Sequence, residues 1–139
     1  MIRDESLRNL ARELLGMGEE DMAKITPEME KEMQNVLTGL GKYRLVAEVV
    51  RSQYCFAALQ PGQKFVVDLD GKLNPEESTA PLCLGALGPL GEKARIMMDR
   101  VSQNGEVTAP VAGFRCVDPG LDLGGLGSVD FEVRIEKIG

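Results

Sequence analysis

A chain of 139 residues has the length of one ordinary domain, and 43% hydrophobic with 27% charged residues is the balance of a folded globular protein rather than a disordered one. A net charge of −6 argues against sequence-independent nucleic-acid or anionic-membrane binding, and the absence of histidine excludes Ser-His-Asp hydrolysis, Cys-His catalysis and His-ligated metal centres. No run approaches the roughly 18 apolar residues of a membrane span, and the opening MIRDESLRNL is charged where a secretory signal would be apolar, so the expected compartment is the cytoplasm.

Leu7, Leu10, Ala11, Leu14 and Leu15 share one helical stripe, with Asp4 placed to cap its start and Gly16 to end it. GMGEEDMAK is an acidic connection with room for one helical turn. Thr26 and Pro27 then open a second helix, along which Met29, Met33, Val36, Leu37 and Leu40 share a face, until Gly39 and Gly41 stop it. Residues 1–41 therefore read as a helical hairpin for docking or homo-oligomerisation, its methionines suited to an adaptable contact with a protein partner.

From Tyr43 the period changes to two: Tyr43, Leu45, Ala47 and Val49 fall on one face, and Arg44, Val46, Glu48 and Val50 on the other. Phe65 to Leu69 reads as an antiparallel partner closed by the Asp70-Gly71 turn. Thr79 and Pro81 predict the start of a long helix that Gly88-Pro89 should interrupt or kink, with Leu90, Ala94, Met97, Met98 and Val101 on its inner face. AGFRCVD and SVDFEVRIEKI are the last strands, joined by the glycine-rich PGLDLGGLG, read as a mobile loop or lid. The fold class is α+β: a helical hairpin, then a β-β-α-β-β unit over residues 42–139 whose small, mostly antiparallel sheet is covered by one long helix.

Chemistry concentrates at three cysteines. Cys55 follows the first strand, Cys83 lies in the first turn expected of the long helix, and Cys116 ends a late strand. With Asp118 they make a four-ligand set suited in type and number to zinc or iron, although zinc sites usually show one closely spaced pair. Cys83 near a helix N-terminus is the best candidate for a reactive thiolate, with Asp118 and Lys64 assisting and Cys116 or Cys55 as resolving thiol. Against both stands the ordinary role of cysteine as a small buried hydrophobe. Asp68 and Asp70 could share a face, but they flank a turn and read as a solvated strand end.

Cys55, then Pro61-Gly62-Gln63-Lys64-Phe65, then Cys83 opening a helix, then Cys116-Val117-Asp118 before a strand from Val129 to Ile135, follow one another at a spacing that resembles a family of small, largely uncharacterised bacterial and archaeal proteins, mostly anaerobe-associated, with three separated cysteines. The resemblance covers the C-terminal two-thirds and implies that the cysteines belong to one site; the hairpin and the glycine loop depart from the pattern. The expected function is an accessory binding protein with a cysteine-lined pocket between helix and sheet for a small ligand or soft metal, built on Cys55, Cys83, Cys116 and Asp118. The alternatives are a thiol redox enzyme and a structural interaction module.

Overall fold

In the computed structural model, which describes residues 1–139, the helix signals act where the sequence places them. Asp4 accepts from the Leu7 amide at 2.8 Å to start α1 (Glu5–Leu15), and Gly16, at φ +64°, ends it, with Gly16 and Met17 donating to the carbonyls of Arg12 and Ala11. A single helical turn, α2 (Glu19–Met22), fills the acidic connection. Thr26 Oγ1 caps α3 (Pro27–Gly39) by accepting from the Met29 amide at 3.2 Å. Ile2, Leu7, Ala11, Met22 and Ile25 form a separate small core among these helices. The buried Glu30 ties the leading segment down, its Oε1 accepting from the Arg3 and Asp4 amides at 2.6 and 2.8 Å.

Four antiparallel strands make the sheet, in the order β2 (Lys64–Asp68), β1 (Tyr43–Gln53), β4 (Ser128–Lys137), β3 (Phe114–Arg115). Leu45 lies opposite Val67 and Ile135, and Ala47 opposite Phe65 and Val133, so that one face is continuously apolar. Upon that face lies α4 (Leu84–Ser102), burying Ala86, Leu90, Met97 and Val101 against Phe65, Phe131 and the strand valines. The Phe131 ring stacks on Phe114 with centroids 4.6 Å apart.

The opposite face is an ion-pair lattice: Arg134 reaches Glu48 and Glu136, and Arg44 reaches Glu136 and Glu77. Within it Val46 and Val66, cross-strand partners, are fully buried, so β1 is less amphipathic than its alternation predicts. The register between β1 and β4 shifts between Val49 and Arg51, leaving Val50 as a bulge. Strict alternation would turn Arg51 toward the core; the extra residue instead sets Arg51 opposite Asp130 and Gln53 opposite Ser128, on the outward face.

Two expectations for the long helix are corrected. It begins at Leu84 with Cys83 as its N-cap, not at Thr79, because Thr79 and Ala80 donate backbone amides to Lys64 O and run alongside β2. Nor does Gly88-Pro89 break it: α4 runs unbroken through Pro89. A proline at this place leaves the carbonyl four residues earlier without its helical donor. That carbonyl, Gly85 O, accepts from the Val117 amide at 3.1 Å, so the gap in the helix becomes the attachment for the chain leaving β3. The hairpin docks on the C-terminal half of α4 through Asn35 Nδ2, 2.8 Å from Ser102 O, and Gly39, where a Cβ would come within 2.8 Å of Val101 Cγ1 and 3.1 Å of Leu69 Cδ2. Leu14 and Leu15 extend the α1 stripe into solvent at 67% and 58% exposure.

The candidate functional site

Asp118 organises the glycine loop. Its Oδ1 accepts from the Gly120 and Leu126 amides and its Oδ2 from the Gly127 amide, all at 2.9 Å, with a short 3-10 turn at Leu121–Leu123 between. The first of these is the Asx turn that an Asp-Pro-Gly sequence favours. Donation from Gly120, Gly127 and Leu126 holds this carboxyl below its ordinary value of 3.8. Gly127 is small for a reason: a Cβ there would lie 3.0 Å from Tyr54 O and 3.5 Å from the Cys55 Cα, so its absence lets the exit of β1 pack against the loop base. Expected to be a mobile segment, the loop is thus clamped at its neck.

Between this loop and the outward face of the sheet lies an open cleft of about 400 Å³. Its floor is Arg51 and Gln53 of β1, Arg115 of β3 and Ser128 of β4; Tyr54 and the loop residues Pro119, Gly120, Leu121, Asp122 and Leu126 form its walls. Arg115 Nε donates to Asp130 Oδ1 at 2.7 Å, which together with the charge of Asp130 raises the guanidinium pKa further. Tyr54 sits at φ +54°, an uncommon conformation for a non-glycine residue, where the chain turns sharply out of β1.

The cysteines lie elsewhere. Cys55, Cys83 and Cys116 are half-buried, unpaired as disulfides, and pack against the main core between α4 and the sheet. They gather toward one end of that core. Cys116 donates its amide to Val129 O, the neighbouring Val117 to Gly85 O, and the Cys83 Sγ lies 3.7 Å from where a Cβ on Gly85 would stand. The cleft contains no cysteine and is lined by arginine, amide and hydroxyl groups, so it is a different place from the cysteine-lined pocket expected between helix and sheet. Strand alternation explains the separation, since Arg115 and Cys116 are consecutive and point to opposite faces.

No three Cys, Asp or Glu side chains are placed so that they could hold a metal ion. Of the zinc or iron set expected at Cys55, Cys83, Cys116 and Asp118, the thiols are half-buried against the core, while the Asp118 oxygens already accept three amides. Asp68 and Asp70 behave as turn residues, accepting from the Asn74 side-chain amide and the Lys72 backbone amide.

Sequence reasoning missed the cleft residues other than through the loop that walls them. Arg51 and Gln53 reach it only because of the bulge, while Arg115 and Ser128 could have been found as the outward positions of their strands. No helix is long and apolar enough to cross a membrane. Comparison with family models, curated proteins and solved structures gives no match, so the likeness to three-cysteine proteins rests on the spacing of its motifs.

Proposed function

We propose that the protein is a non-enzymatic cytoplasmic binding module that takes a small ligand in the cleft between the outward face of the sheet and the glycine loop. The observation that carries this is a concave site of about 400 Å³ whose floor is built on strands and whose loop wall is clamped by Asp118. That volume lies within the usual range of small-molecule sites. Arg51, Gln53, Arg115 and Ser128 supply directional donors, suited to recognition. Two-dimensional NMR of the labelled protein against mixtures of small polar metabolites tests it. Saturable shifts confined to the amides of Gln53, Tyr54, Leu126 and Ser128 are expected; shifts only around Cys55, Cys83 and Cys116, or none at millimolar ligand, overturn the reading.

A second reading, a redox protein acting through Cys83 with Cys116 or Cys55 as resolving thiol, draws on the gathering of three free thiols toward one end of the core. In mild diamide it requires a disulfide from Cys83 to one of the other two, with two electrons and two protons passing to the oxidant, reversed by dithiothreitol. Three free thiols after that treatment, counted under denaturing conditions, would remove it.

A further inference from the structure

Among the arginines of the outward face, pairing leaves one over, and it lies in the cleft. Of the four arginines on that face, Arg44 and Arg134 are held in the lattice with Glu48, Glu77 and Glu136, and Arg115 holds Asp130. Asp130 is the register partner of both Arg51 and Arg115, and its Oδ1 accepts from Arg115. Arg51 is thereby left without an ion pair. On the loop wall, Asp122 also makes no ion pair, and it does not reach Arg51, since no N···O separation between them falls within 4 Å.

Counted together, Arg51 and Arg115 against Asp122 and Asp130 sum to zero, but Arg115 and Asp130 cancel each other by contact. One positive group on the floor and one negative group on the loop wall of the same cavity remain. A ligand carrying only an anion would satisfy Arg51 and face Asp122; one carrying only a cation would meet the converse. A small zwitterion satisfies both, its carboxylate taken by the planar fork of the guanidinium and its ammonium by the carboxylate. Leu121, Leu126 and Pro119 offer apolar surface beside these charges.

We infer that the cleft recognises a small zwitterion of the amino-acid class bearing an apolar side chain, with Arg51 on its carboxylate and Asp122 on its ammonium group. This rests on the binding-module reading and names the ligand class of the same site.

The test uses the intact chain and three probes: L-leucine, N-acetyl-L-leucine, which lacks the ammonium charge, and L-leucinamide, which lacks the carboxylate. Expected are saturable L-leucine shifts at the Tyr54, Leu126 and Ser128 amides, with each single-charge analogue weaker by about five- to tenfold, the scale of one partly exposed charged contact. Arg51→Gln should erase the preference for L-leucine over L-leucinamide, and Asp122→Asn its preference over N-acetyl-L-leucine. Arg95→Gln, an exposed change on α4, should preserve both. Equal binding of all three probes at the cleft overturns the zwitterion assignment and leaves the binding-module reading standing. Absence of any L-leucine shift at 10 mM, while other metabolites shift the cleft amides, does the same; no cleft shift with any compound overturns both.

Discussion

Gly125→Ala is the sharpest test of how the loop wall is held. A Cβ at residue 125 would collide with Asp118 Oδ1 and stand 2.7 and 2.9 Å from Pro119 Cδ and Cγ. The proline ring cannot rotate away, so the group that yields is the Asp118 carboxylate, and the amides of Gly120, Leu126 and Gly127 lose their acceptor together. Forced overpacking of this kind costs about 1–3 kcal/mol, which corresponds to opening of the loop becoming roughly 5- to 150-fold more frequent. Native-state amide exchange measured by NMR reads this directly: protection at Leu126 and Gly127 should fall by that factor, while amides in the centre of β1 and β4 keep theirs. Gly91→Ala, on α4 with nothing within 4 Å of the added methyl, should leave the loop unaltered. Unchanged protection of Leu126 and Gly127 in the alanine-125 protein would show that the carboxylate clamp does not hold the loop.

Acid should loosen the loop and the outward face. Asp118, through its amide donors, and Glu136, through Arg134 and then Arg44, have folded-state pKa values below their ordinary 3.8 and 4.5, so each contributes stability that is present above those values and is lost as pH falls through the lower folded ones. Carboxyl titration by NMR should therefore give midpoints below 3.8 and 4.5, with the Gly127 amide following Asp118; ordinary midpoints would contradict the pairing. Glu30→Ala strands the Arg3 and Asp4 amides and should cost about 1–3 kcal/mol in denaturant unfolding, with Glu30→Gln milder because it keeps an acceptor; equal losses would assign the effect to packing. Pro89→Ala restores a helical donor to Gly85 O in competition with Val117, so the Val117 amide should exchange several-fold faster with no loss of thermal stability, Ala being about 3 kcal/mol the better helix former. An unchanged Val117 rate would show that the proline gap is not what secures that contact.

Features decided by neighbouring residues were legible in the sequence, and those decided by distant ones were not. Asp4, Gly16, Thr26 and Pro27 act within one turn of themselves, so the ends of α1 and the start of α3 follow from the residues alone. The alternation of Val129, Phe131, Val133 and Ile135 likewise identifies β4 and its buried face. Pro89 misled because the hydrogen bond that satisfies Gly85 O comes from Val117, brought there by the chain returning after a long excursion. The bulge at Val50 is equally invisible locally, since it exists only in relation to β4, and it alone turns Arg51 outward. The sequence offers Asp118 as a ligand; the Asx-turn chemistry of Asp-Pro-Gly is the signal for its work on the loop. The cysteines were placed at the right junctions, yet whether a side chain at a junction enters the core or the cleft depends on strand parity that no single segment reveals.

The margins of the sheet bear on how this protein can associate. Along β2, the side facing away from β1 is already occupied: Ser78 Oγ and Thr79 Oγ1 accept from the Val66 and Lys64 amides, Asn74 donates to Val66 O, and Lys72 O accepts from Asp68. At the far margin, β3 is only two residues long. The β2 rim thus offers no run of free backbone groups on which a foreign strand could extend the ladder, the usual seed of fibre growth, whereas β4 beyond Phe131 has no strand partner on the β3 side. Strand-to-strand association is therefore confined to that one length of β4, and assembly through the β2 margin must be written in side chains rather than in main chain.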